Sequence, residues 1–143
     1  MKYLCLVYNE EKALAAMDKS DFLALVGGHV AYGDELRQNG HLIATEALER
    51  VHTATTVRVR NGKVSTTDGP FAETKEQLGG FFLVEARDDQ EAIRLAAGIP
   101  SAQTGSIEVR PIRDCHQLLA EAGVSPQEAR ASRMARPSNR APS

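Results

Sequence analysis

TTDGPFAETKEQLGGFFLVEA, residues 66–86, joins a rigid turn, a cluster of charges and an apolar strand without a gap, and its reading decides the fold. Asp68-Gly69-Pro70 is a tight-turn signature: Asp bonds backbone amides ahead of it, Gly supplies positive φ, and Pro fixes its own φ while pushing Gly69 out of the helical region. Residues 73–78 are almost all polar and predict a turn of helix that is solvated or rims a pocket, ended by Gly79-Gly80. Residues 81–86 then read as a strand. Its faces, Phe81, Leu83, Glu85 and Phe82, Val84, Ala86, are both mainly apolar, so both need cover. The picture is a small α+β subunit with an acid-rich loop over a pocket.

Working back from this stretch, Asn61-Gly62 predicts a two-residue type I′ hairpin between strands 53–60 and 63–67, which delivers the chain straight to Asp68. Residues 41–46 form a shorter strand. Before it, residues 21–39 carry Phe22, Leu25, Val26, Val30 and Leu36 at a helical period, with Ser20 or Asp21 as the cap and Gly40 as the stop. Gly27, Gly28 and Gly33 cost this helix about 1 kcal/mol each against Ala, which points to close packing or to room left for something. Residues 2–8 alternate Tyr3, Cys5, Val7 with Leu4, Leu6, Tyr8, a central strand covered on both sides; residues 10–19 make a polar connector with a short helical look. Forward of the stretch, Asp88 caps a helix to Ala97 whose inner stripe is Ala92, Leu95 and Ala96 with Ile93 beside them. A loop at 101–105 leads to a last strand at 107–112. Short helices follow at 115–122 and 126–134, and RPSNRAPS reads as disordered.

The order strand, helix, strand, hairpin, strand, helix, strand is a ferredoxin-like split β-α-β arrangement with an inserted β-hairpin. Two helices cover one face of an antiparallel sheet. Strands 2–8 and 81–86 are apolar on both faces, so the open face is expected to meet a second copy, giving a homodimer.

With 143 residues, 42% hydrophobic and 25% charged, the composition is that of a globular domain with a real core. The sequence has neither an apolar run long enough for a membrane span nor a signal-peptide pattern, and a cytoplasmic location is expected. Cys5 and Cys115 lack metal or redox spacing and read as free thiols, buried or half-buried. The net charge of −2 hides an asymmetry, an acidic domain over 1–112 and a basic tail over 113–143. Arg130, Arg133, Arg136 and Arg140 are scattered among Ala, Ser and Pro without aromatics, a pattern for a solvated tail or subunit-contacting arm and not for nucleic acid. His41, His52 and Cys115-His116 have no ligand spacing, so no metal is expected. Gly79-Gly80 precedes a strand, whereas a phosphate-binding fingerprint must follow one.

Four groups can carry chemistry. His29 lies seven residues after Phe22 and three after Val26, on the buried face of its helix, where an imidazole can take and give protons near neutrality or merely satisfy a helix-to-sheet hydrogen bond. Asp68 can face a ligand or hold its own turn. Glu73, Lys75 and Glu76 can bind a polar ligand or pair with one another. Arg58, Arg60 and Arg110 lie on strands and can anchor a ligand carboxylate or lock the acidic loop.

DGPFAETKE at 68–76 followed by LGGF at 78–81 resembles the signature of the DGPF-domain proteins, a branch of the YCII-related (YciI-like) family. KYLCLVY at the start, ATTVRVRNGKV and the closing IEVRPI are similar to it too, so the resemblance covers residues 1–112. It implies a dimeric α/β barrel, a fold shared with muconolactone isomerases, small monooxygenases and dehalogenating lyases of chlorinated lactones. It implies, through DGPF proteins often encoded beside extracytoplasmic-function sigma factors, a regulatory link to such a factor. It also implies a His-Asp site in which the His lies eleven residues before a Gly, as His29 does before Gly40. The family's Asp precedes a Pro, where this chain has Ile99-Pro100, so the pairing is broken here, and Asp68 is the residue expected to substitute for it in space. Two functions follow: a small-molecule-binding regulatory module, or a cofactor-free lyase, isomerase or oxygenase acting on a small organic acid or lactone with His29 as acid/base and Asp68 orienting it.

Overall fold

The computed structural model describes residues 1–135, and the stretch expected to be disordered, RPSNRAPS, lies outside the described residues. Strand β1 (Lys2–Asn9) leads through helices α1 (Glu11–Ala16) and α2 (Lys19–Gln38) to β2 (Leu42–Ala47). A hairpin, β3 (Thr55–Arg60) and β4 (Lys63–Asp68), precedes β5 (Gln77–Glu85), α3 (Asp89–Ala97), the short α4 (Ser101–Thr104) and β6 (Ser106–Pro111). Helices α5 (Cys115–Glu121) and α6 (Pro126–Ala135) follow. Among the described residues no helix is long and apolar enough to cross a membrane.

The main sheet has the order β2-β5-β1-β6 with every neighbouring pair antiparallel, which is the ferredoxin-like arrangement expected from the element order. It belongs to one compact unit, Met1–Thr55 with Asp68–Ile112. Its core lies between the sheet and the helices: Tyr3, Cys5 and Val7 of β1, Phe82 and Val84 of β5, Leu36 of α2, and Ala92, Leu95 and Ala96 of α3, closed by Ile99. The alternate residues Leu4, Leu6, Tyr8, Phe81 and Leu83 face the other way and stay half-exposed. A second unit comprises Thr56–Thr67 and the segment from Arg113. Its hairpin turns at Asn61 and Gly62, with φ of 54° and 73°, as a type I′ turn requires.

Several local expectations are corrected. Residues 71–76 form no helical turn: Gln77 Nε2 donates to the carbonyls of Thr74, at 2.6 Å, and Lys75, so side-chain bonds hold the segment in loop form. Gly79-Gly80 ends nothing and lies inside β5. A Cβ at Gly80 would sit 2.7 Å from the Glu46 carbonyl, so the glycine is what lets β5 lie against β2. Helix α2 is capped by Asp18, whose Oδ1 accepts from the Asp21 amide at 2.8 Å, and not by Ser20 or Asp21. Residues 101–104 are helical, Ile93 is exposed, and Cys115 is exposed where a buried or half-buried thiol was expected.

Candidate functional site

Helix α2 changes partners along its length. Its C-terminal half packs Gly33 and Leu36 into the core, while Phe22, Val26 and Val30 remain 41%, 44% and 62% exposed. These three do not reach the core. With Leu14 of α1, Leu25 and Phe82 they wall a cavity of about 520 Å³ between α2 and the end of the sheet, a size suited to a small organic molecule. Polar groups converge on it: Asn9, Glu11, His29, Thr45, Glu46, Glu49, Arg50, Gln77 and Ser101. Arg50, exposed at the rim, makes no ion pair among the described residues.

His29 is half-buried on this wall, its ring tilted against Phe82 with centroids 6.3 Å apart. Nδ1 lies 2.8 Å from the Leu25 carbonyl, which can only accept, so Nδ1 carries a proton. Nε2 lies 2.9 Å from Ser101 Oγ. Ser101 is 1% exposed, and its Oγ accepts from Asn9 Nδ2 at 2.8 Å; Asn9 Oδ1 in turn accepts from Thr104 Oγ1 at 2.8 Å. In the neutral ring Ser101 O–H donates to Nε2, and in the charged ring Nε2–H donates to Ser101 Oγ. Gly28 makes this contact possible: a Cβ there would meet Pro100 Cγ at 3.2 Å, so the missing side chain lets α2 approach the Pro100-Ser101 corner.

The other residues singled out in the sequence are not gathered around His29. Asp68 ends β4 and does not line the cavity; the Gly69 amide after it donates to the Ala54 carbonyl at 2.7 Å, with Gly69 at φ 106°. Both ring nitrogens of His29 are held by Leu25 and Ser101, so Asp68 does not orient it. Glu73 and Lys75 are exposed on the loop before β5 and, with Glu76, form no ion pair among the described residues. Arg110, on the open sheet face, pairs through Nε with Glu108 Oε2 at 2.8 Å. Arg58 sits on β3 in the second unit. Among the described residues no group of three His, Cys, Asp or Glu side chains is placed to hold a metal ion.

The residues that do converge with His29 were missed. Asn9 had a signal: it continues the buried alternation of Tyr3, Cys5 and Val7, and a polar side chain there needs partners. Ser101 follows Ile99-Pro100, the place where the family resemblance calls for a carboxylate; Ile99 is buried in the core instead, and the hydroxyl two residues on meets the ring.

The model of the YCII-related domain matches residues 1–116. The chain belongs to the YCII-related family. An uncharacterised protein of Rhizobium meliloti (strain 1021) is 36% identical over 114 residues, covering 78% of this chain and 92% of that protein. The family match spans β1 through β6, and so includes His29, Asn9, Ser101 and the whole cavity wall.

Proposed function

We propose that this YCII-related protein binds a small organic acid or lactone in the cavity beneath α2, and that His29 is the acid/base for a cofactor-free proton transfer on it. The observation that carries the reading is the placement of His29: a ring of defined tautomer on the wall of a 520 Å³ cavity whose remaining walls are largely apolar. Apolar walls give such a molecule affinity, and a few placed polar groups give it orientation. Arg50, also on the wall, is the group for a ligand carboxylate, since a guanidinium meets a carboxylate with two parallel hydrogen bonds. For His29 to take a proton from a ligand, Nε2 must give up its bond to Ser101 Oγ and turn to the cavity.

A thermal-shift screen of lactones, aromatic acids and flavins tests this. A ligand at one hundred times its Kd stabilises by about 2.7 kcal/mol, several degrees for a domain of this size. Carboxylate ligands should lose most of their shift in Arg50→Gln, and any turnover found should vanish in His29→Ala while binding persists. If no compound gives a saturable shift, or if the shifts survive filling the cavity with Val26→Trp, the reading is wrong.

A further inference from the structure

The chain Thr104, Asn9, Ser101, His29 has a property beyond holding the ring still: every bond in it can be reversed without moving a heavy atom out of place. Thr104 O–H donates to Asn9 Oδ1 and Asn9 Nδ2 donates to Ser101 Oγ, and with the ring neutral Ser101 O–H donates to His29 Nε2, 2.9 Å away. Suppose His29 gains a proton on Nε2. That nitrogen must now donate to Ser101 Oγ, and the serine hydroxyl needs a new acceptor. Ser101 is 1% exposed and has no third partner among the described residues. Turning the Asn9 amide by half a rotation supplies one: Oδ1 then accepts from Ser101, and Nδ2 donates to Thr104 Oγ1. Thr104 is exposed, so its hydroxyl keeps its proton and rotates to donate it in a hydrogen bond to water. Oxygen and nitrogen of an amide are nearly isosteric, so the packing is unchanged, and no buried polar group is left unpaired in either state.

We propose that Asn9 and Ser101 are positioning residues that set the proton state of His29, the Asn9 amide holding the ring as a base in one orientation and as an acid in the other. This deepens the acid/base reading of His29 and rests on it for its use, but not for its test. A catalyst that must accept a proton and later return it needs both states to be stable in place, and this chain provides that. The charged groups around the cavity are Glu11 of α1, Glu46 of β2, and Glu49 and Arg50 beyond it; β1, β5, α2 and α4 place no acidic or basic side chain on the wall except His29 itself. The immediate control on the ring is therefore the neutral chain.

Asn9→Asp tests the idea, because a carboxylate can only accept and so fixes the chain in its reversed sense. Long-range proton–nitrogen NMR on the full chain, without ligand, reads the His29 ring directly. The wild type should show the neutral Nδ1–H tautomer at the alkaline end of the titration, and its Asn9 side-chain amide signals should move with the same midpoint as His29. In Asn9→Asp the ring should hold its proton to a pH at which the wild type has lost it, an effect of about tenfold or more in proton affinity. Adding Ser101→Ala should remove more than half of that gain, since the carboxylate acts through the hydroxyl. A neutral Nε2–H tautomer in the wild type, an Asn9 amide indifferent to His29, no gain in Asn9→Asp, or an equal gain with and without the serine hydroxyl each overturns the proposal. Should Asn9→Asp fail to fold, the paired midpoints in the wild type alone decide it. None of these readouts depends on a ligand, so failure here leaves the cavity reading standing, and failure of the ligand screen leaves this one standing.

Discussion

Tyr3 is sealed in the core at 1% exposure, yet its hydroxyl is employed: Oη donates to Asp89 Oδ1 at 2.8 Å, tying the middle of the molecule to the first turn of α3. A carboxylate that accepts from a phenol favours the protonated phenol, and this bond, with burial and the Asp89 charge behind it, pushes the Tyr3 pKa up from 10.0 to about 12. Because the folded value lies above the unfolded one, the neutral form contributes stability that is complete below pH 10 and is lost as pH rises toward about 12. Tyr3→Phe deletes the hydroxyl and leaves the ring. The wild type should therefore unfold at a higher denaturant concentration than Tyr3→Phe at pH 8, and the gap should close in a series of urea melts carried to pH 12. No gap at pH 8, or a gap that stays constant to pH 12, would show that the Asp89 bond does not hold the phenol protonated in the fold. Asn9 illustrates the same rule on a neutral side chain, since both buried polar residues on the inner face of β1 are held by named partners.

Helix α2 carries the site, and two adjacent glycines in it do different jobs. A Cβ on Gly27 would meet nothing within 4 Å, whereas one on Gly28 would meet Pro100. Gly27→Ala should then return the helix propensity that glycine forfeits and raise stability by about 0.5–1 kcal/mol. Gly28→Val should lower stability by about 1–3 kcal/mol through overpacking, and it should also prise Ser101 from His29. Chemical denaturation of the two variants beside the wild type measures both signs; equal effects would mean that the approach of α2 to Pro100 is not what Gly28 is for. The period of α2, the hairpin at Asn61-Gly62 and the apolar strands were legible because each is a local pattern: spacing along one element, or turn chemistry over two residues. The segment at 73–78 was misread because polar composition cannot separate a solvated helical turn from a loop held by one glutamine. The site was half legible. His29 could be placed on the inward face by counting, but its side-chain partner Ser101 comes from α4, 72 residues on, where no local pattern reports. Phe22, Val26 and Val30 gave a true helical stripe whose destination, cavity and not core, is a property of the tertiary fold.

At the scale of the whole molecule the unresolved business of the fold is the open face of its main sheet. Leu4, Leu6 and Tyr8 of β1 lie beside Phe81 and Leu83 of β5 in the antiparallel register, so five large side chains form one surface on the central strands. On the flank the Glu108–Arg110 pair occupies β6, with Glu108 directly opposite Leu6 and Arg110 opposite Leu4. An apolar centre bounded by charge is the anatomy of a protein interface, and a face that meets its own copy about a two-fold axis satisfies it without a second gene product. We propose that the working unit is a homodimer joined through this face, the helices and the cavity of each subunit lying on the far side of its sheet. Leu6→Glu is the decisive variant: it puts a charge at the centre of the surface and opposite Glu108, and loss of a central anchor costs about 2 kcal/mol or more, roughly thirtyfold in the dissociation constant. Sedimentation equilibrium across the micromolar range should find wild-type dimers and Leu6→Glu monomers with the same far-ultraviolet circular dichroism. A wild type that sediments as a monomer at the highest concentration, or a variant that associates as the wild type does, would leave the apolar centre of the sheet without a partner and the dimer without support.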